Sequence, residues 1–186
     1  MKLKLISEEI IKPMQPTPTH LRYLKRSLFD HANGPVLMPL VFFHTKHHTL
    51  STSTILHRLK SSLPATLSLF YPLAGRAQGK NYIDCNDDGV SYVQAELPST
   101  NLSEIVHRAD VSLLDKLLPS DDNEQGGYSK LLLAIQVNVF ACGGVAIGIK
   151  MSHAICDAFS VAMFVKTWTS IASGDSEIQS LTPSPL

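Results

Sequence analysis

His153 and Asp157 are the pair whose types and spacing most suggest chemistry, an HxxxD within His153-Ala154-Ile155-Cys156-Asp157. Imidazole has an ordinary pKa of about 6.5, so near neutral pH it can both take and return a proton. The spacing alone is cheap: with eight histidines in the chain, about 0.4 occurrences are expected by chance. Position adds the weight. Residues 130–140 alternate as a strand, with Ile135, Val137 and Val139 on one side and Gln136 and Asn138 on the other. Cys142-Gly143-Gly144 turns the chain, and residues 145–151 return as the hairpin partner. A helix is expected from about Asp157 to Ser173, with Val161, Phe164, Val165, Trp168 and Ile171 on one face and Gly174 as its stop. His153 then falls between a strand and a helix, a rigid mount at the end of a sheet, where pockets form. A carboxylate at Asp157, opening that helix, would favour the positive end of its dipole.

Other candidates are weaker. No G-x-S-x-G elbow is present, and Ser152 precedes His153 in an extended strand, facing the opposite way, which argues against a Ser-His-Asp hydrolase. His44, His47 and His48 have no carboxylate or cysteine near them in sequence and read as a solvated strand end, so no metal is expected. Cys156 reads as a small packed residue. With Cys85 and Cys142 it makes an odd set without CxxC spacing, hence free thiols in a reducing compartment. Asp121-Asp122 belongs to a polar loop spanning 120–129. Gly126-Gly127 and Gly143-Gly144 do not precede a helix N-terminus as a phosphate cradle would.

The remaining elements supply the frame. Residues 2–11 read as a strand stopped by Pro13, Pro16 and Pro18, and 21–29 is ambiguous between helix and strand. Residues 36–44 form a strand in which Pro39 demands an edge or a bulge. Ser51 begins a helix in which Ser or Thr cap candidates precede Ile55, Leu56, Leu59 and Leu63, and which Pro64 should kink or restart. Residues 82–85 and 90–97 flank Asn86-Asp87-Asp88-Gly89, the composition of a tight hairpin turn. Asn101 and Glu104 have the spacing of a capping box, and 113–118 forms a further helical turn. Helices and strands intermix, so the class is α/β with a mixed β-sheet flanked by helices. The chain has 186 residues, 44% hydrophobic and 17% charged, with sixteen basic and sixteen acidic side chains. That balance gives no global field for nucleic acid or an anionic membrane, and no stretch has the length of a membrane span. A cytoplasmic location is the default.

Four blocks occur in an order and at intervals that resemble the plant BAHD acyltransferases. They are FYPLAGR (Phe70 to Arg76), DCNDDGV (Asp84 to Val90), Cys142-Gly143-Gly144, and Ser152-His153-x-x-x-Asp157. The resemblance spans almost the whole chain and is strongest to the alkaloid-acylating branch. It implies a chloramphenicol acetyltransferase-like fold. It also implies that His153 is the general base, taking a proton from an acceptor hydroxyl or amine that attacks an acyl-coenzyme A thioester. The imidazolium then protonates the leaving thiolate, with no covalent acyl-enzyme. Asp157 matches an aspartate that supports site geometry. The co-substrate would be acyl-coenzyme A, acetyl-coenzyme A by resemblance, with no permanently bound cofactor, and the acceptor a plant specialised metabolite such as an alkaloid alcohol. Within FYPLAGR and DCNDDGV, Pro72, Gly75, Arg76 and the Asn86-Asp87-Asp88-Gly89 turn read as structural. The resemblance assigns 1–175 to the N-terminal domain and 176–186 to the start of an interdomain linker. No DFGWG of the C-terminal domain is present, so turnover is expected to need a C-terminal half, and the chain alone to expose apolar surface. Two other readings stand beside this one. One is a catalytically silent module of the same fold, acting by protein association. The other is a chloramphenicol acetyltransferase-like or condensation-type domain, disfavoured by FYPLAGR and DCNDDGV.

Overall fold

The computed structural model describes residues 2–26, 36–46, 49–79, 81–108, 110–120 and 131–174. In chain order the elements are β1 (Lys4–Ile11), β2 (Tyr23–Lys25), β3 (Leu37–His44), α1 (Thr52–Leu69), β4 (Arg76–Gln78) and β5 (Tyr82–Asp84). There follow β6 (Val90–Leu97), α2 (Leu102–Arg108), α3 (Val111–Asp115), β7 (Leu133–Phe140), β8 (Val145–Ser152) and α4 (Ala158–Ser173). Five strands form one sheet in the order β1-β6-β7-β8-β3, in which only β6 and β7 run parallel. A second sheet of three strands has the order β2-β5-β4. The class expected from sequence, α/β with a mixed sheet, is what the chain adopts.

Each face of the large sheet buries its own apolar set. Leu63 and Leu67 of α1 and Phe164 and Trp168 of α4 meet Ile135, Val137, Ile149 and Met151. The Trp168 indole N–H donates to the Leu59 carbonyl at 2.9 Å, tying α4 to α1 and satisfying the one polar atom of a large buried ring. On the opposite face Leu102 and Ile105 of α2, with Leu117, cover Leu97, Phe140 and Ala146.

Several expectations hold at the level of single bonds. Ser51 Oγ accepts from the Thr54 N–H and caps α1, and the Glu104 carboxylate reaches back to the Asn101 N–H at 3.2 Å as a capping box does. Gly174 closes α4 in the left-handed region at φ 88°. Pro39 lies on an edge strand, as required. The His153 N–H donates to the Val36 carbonyl at 2.8 Å, which fixes the parity of the ladder. Even-numbered residues of β3 bond to β8 and odd-numbered ones face outward, so Pro39 costs that ladder no donor.

Three expectations are corrected. Pro64 does not restart α1, which runs unbroken over Thr52–Leu69. Leu59, Leu63, Thr66 and Leu67 are buried on either side of it, and that tertiary packing outweighs a cost of about 3 kcal/mol. The Pro64 carbonyl meanwhile accepts from the Met14 N–H at 2.9 Å. Second, 82–85 and 90–97 are not a hairpin: β5 pairs with β2 and β4, whereas β6 sits between β1 and β7 in the large sheet. Residues 86–89 carry the chain between sheets. The Asp87 carboxylate accepts the Thr17 N–H and hydroxyl at 2.8 and 2.6 Å. Arg76 donates to the Gly75 and Gly89 carbonyls, both at 2.8 Å. Third, the 21–29 ambiguity resolves into a 3-10 turn (Thr19–Leu21) and β2, as far as residue 26. The 120–129 loop, apart from Ser120, lies outside the described residues, as do His47, His48 and the linker residues from 175 onward.

Strand β7 is buried on both sides. Gln136 and Asn138, on the face away from Ile135, donate to the Lys116 and Leu117 carbonyls at 3.1 and 2.9 Å. Tyr92 is the opposite case. Its ring is buried, its hydroxyl has no hydrogen-bond partner, and desolvation pushes its pKa up. Tyr92→Phe is expected to leave stability unchanged or raise it by about 1 kcal/mol, because it removes an unpaid desolvation cost. Urea unfolding followed by Trp168 fluorescence checks this. A loss above about 1 kcal/mol would mean that the hydroxyl is held by a buried water.

Candidate active site

His153 sits on a short turn held from three sides. The Ser152 N–H donates to the Leu132 carbonyl at 2.9 Å and the His153 N–H to Val36, so both neighbouring strands grip the end of β8. The Ile155 and Cys156 N–H groups then bond back to the Ser152 carbonyl at 3.3 and 3.2 Å. Ala154, Ile155 and Cys156 are buried beneath this turn, and Cys156 is the packed residue its position suggested. The mount is therefore backbone, braced by core, and its rigidity does not depend on a flexible side chain.

The imidazole is half-buried. Its Nδ1 is sealed from solvent without a hydrogen-bond partner. Nε2 is not among the sealed atoms, so it is the ring nitrogen left to meet a ligand. Asp157 does not touch the ring. It is exposed, it caps α4, and its carboxylate accepts from the Ser160 N–H at 2.7 Å. That backbone bond, with the Ser160 side-chain bond, holds its pKa below the usual carboxylate range. Its place is that of a helix cap.

A carboxyl whose folded pKa is depressed contributes stability that is present above its unfolded pKa, about 3.9, and is lost as pH falls through the folded value. Asp157→Ala is expected to lower the thermal midpoint more at pH 7 than at pH 3, while Asp157→Asn, which retains a capping oxygen, loses less. Equal losses at both pH values would remove the ionised carboxylate from the account.

Val36, bonded to the His153 backbone, and the first two turns of α4 expose apolar side chains. Val36 is 58% exposed, Phe159 in the first turn of α4 is 73% exposed, and Met163 one turn later is 37% exposed. The i, i+4 spacing of Phe159 and Met163, off the buried face of α4, was the sequence signal for this exposed pair. A groove of about 710 Å³ lies elsewhere, between residues 14–18, α1 and the end of α4 at Ile171 and Ala172. A smaller hollow of about 410 Å³ lies near Thr100 and Arg108. Neither includes His153. Among the described residues no group of three or more His, Cys, Asp or Glu could hold a metal ion, and no helix is long and apolar enough to cross a membrane. Cys85 is buried, with its thiol pushed up to about 11 by desolvation, and Cys142 is exposed.

Comparison with known proteins gives a consistent picture. The sequence profile of the Transferase family matches residues 1–184. A limonoid 21-O-acetyltransferase of Melia azedarach is 39% identical over 180 residues, covering 96% of this chain and 42% of its own length. Vinorine synthase of Rauvolfia serpentina is 35% identical over 182 residues, covering 95% and 43%. The crystal structure of vinorine synthase superposes with a TM-score of 0.83 over 95% of this chain and 44% of that one. An F. graminearum protein crystallised with coenzyme A and T-2 mycotoxin shares the fold, with a TM-score of 0.66 at 13% identity over 88% of this chain and 43% of its own. The chain spans about two fifths of the length of the curated relatives it matches.

Proposed function

We propose, from the premise that this chain belongs to the Transferase family, the BAHD acyltransferases, that it carries the general base of an acyl-coenzyme A-dependent acyltransferase. The observation that carries the reading is His153 itself: a half-buried imidazole on a backbone-clamped turn, with Nδ1 sealed and Nε2 not, next to the exposed Val36. Nε2 takes the proton of an acceptor hydroxyl or amine as its oxygen or nitrogen attacks the thioester carbonyl. The carbon–sulfur bond breaks, the imidazolium returns the proton to the departing thiolate, and ester or amide and free coenzyme A result. Asp157 keeps the first turn of α4 in place. The exposed Val36, Phe159 and Met163 suit a largely hydrocarbon acceptor. The limonoid and alkaloid acylating relatives support a plant specialised metabolite as acceptor and acetyl as the donor group. We place the reaction in the cytoplasm. The second wall of the site comes from further polypeptide, a C-terminal half of the kind the relatives carry outside the matched region.

The test is release of free thiol from acetyl-coenzyme A over a panel of alcohols and amines, with the chain paired to such a C-terminal half. Thiol release with equimolar acylated product supports the reading. Well-folded, associated halves that release none would favour a silent module acting by association.

A further inference from the structure

The groove of about 710 Å³ along α1 is remote from His153. It is lined by one stripe of that helix, in which Arg58, Ser61, Ala65, Ser68 and Leu69 follow one another at three- and four-residue steps. Segment 14–18 lines it as well, fastened to α1 by the Met14 N–H on the Pro64 carbonyl and the Gln15 N–H on the Ser68 hydroxyl, at 2.9 and 3.1 Å. Ile171 and Ala172 of α4 complete the lining. From Asp157 to Ile171 that helix runs about 20 Å, so the groove lies at its far end from the His153 turn.

Two polar groups in the groove are unused. Tyr71 lines it while only 3% exposed, and its hydroxyl makes no hydrogen bond to any described residue. Unlike the Tyr92 hydroxyl it is not sealed, so its outlet is the groove. Arg58 is the one charged side chain among the described lining residues; it is exposed, and no described acceptor meets its guanidinium. The serine hydroxyls between the two are committed: Ser61, Ser62 and Ser68 donate to the Arg58, Leu59 and Pro64 carbonyls at 3.3, 3.1 and 3.2 Å. Free donors therefore stand at the Arg58 and Tyr71 ends, about 20 Å apart along the helix. Between them Met14, Pro16, Ala65, Leu69 and Ile171 supply apolar surface.

We propose that this groove binds an elongated hydrocarbon carboxylate that carries a second acceptor oxygen at its far end. The carboxylate pairs with Arg58, the chain lies along the apolar lining, and the Tyr71 hydroxyl donates to the distal oxygen. The volume is that of a small-molecule site. The site is separate from that of acyl transfer, and the proposal does not rest on the enzymatic reading.

Isothermal titration of this chain with hexadecanedioate, kept below the concentration at which it aggregates, tests the site. Saturable binding of one molecule per chain is expected; hexadecanoate, which lacks the second acceptor, should bind about tenfold more weakly. Tyr71→Phe keeps the ring in the core. It is expected to weaken hexadecanedioate about tenfold and to leave hexadecanoate unchanged. Arg58→Gln should weaken both about fivefold, the smaller effect of an exposed ion pair. Lys60→Gln, which removes a neighbouring charge already paired with Glu9 at 2.6 Å, should change neither. Unchanged Trp168 fluorescence in each variant shows that the fold is kept. Absence of saturable binding overturns the proposal, as does equal loss on Arg58→Gln and Lys60→Gln, the mark of unspecific attraction to a basic helix. Tyr71→Phe that binds both acids as wild type does would also overturn it. Binding that falls as chain concentration rises, with a dimer in native mass spectrometry, would overturn it in favour of a second copy in the groove.

Discussion

His153→Gln, in the chain completed by a C-terminal half, is expected to lower acyl transfer by about a thousandfold, or about 4 kcal/mol in the barrier. Glutamine has nearly the length of histidine and can still hydrogen-bond to an acceptor hydroxyl. It cannot take the proton, and an alcohol that keeps its proton is a poor nucleophile toward a thioester. The fold should be indifferent to the change. The ring is half-buried, its Nδ1 makes no bond, and the turn beneath it is held by backbone. Unchanged Trp168 fluorescence in the variant isolates the chemical effect. A drop of less than tenfold would move the base elsewhere.

The largest effect on stability is expected at Gly148, in the middle of β8 between Val41 and Gln136. A Cβ placed there would lie 2.1 Å from the Leu117 carbonyl oxygen and 2.9 Å from its carbon. Those atoms are backbone, and the segment is pinned by the Gln136 and Asn138 amides donating to Lys116 and Leu117. Relief of the clash by a side-chain movement is not available. Gly148→Ala must therefore lift the segment, lose those buried hydrogen bonds and open the cluster around Leu97, Leu117 and Phe140. A loss of about 3 kcal/mol or more is expected, at the upper end for overpacking. Urea unfolding followed by the single tryptophan measures it. A loss below about 1 kcal/mol would show that the strap over β8 is loosely held.

What was legible in the sequence was local. Alternation in β7, the Gly143-Gly144 turn, the Ser51 and Asp157 caps and the Gly174 stop are decided within a few residues, and together they place His153 between β8 and α4. Long-range partners were not legible. The Asn86-Asp87-Asp88-Gly89 chemistry reads as a hairpin because nothing nearby reveals that β6 pairs with β1, about eighty residues earlier. Pro64 stays inside α1 because burial of distant surface outweighs a local penalty. The Val36 clamp on His153 depends on β3 lying beside β8, more than a hundred positions away in sequence. Asp157 shows the reverse: its place at the start of α4 was readable from position alone, and the structure adds the Ser160 bond that makes it a cap.

The most direct test of His153 as the base leaves the sequence untouched. The completed enzyme is treated with diethyl pyrocarbonate, and carbethoxylation at each histidine is followed by peptide mass spectrometry alongside residual thiol release. The account predicts that activity falls in proportion to modification of His153 alone, and that acetyl-coenzyme A with acceptor slows both together. Full modification of His153 with transfer intact, or loss of transfer before His153 reacts, would contradict it.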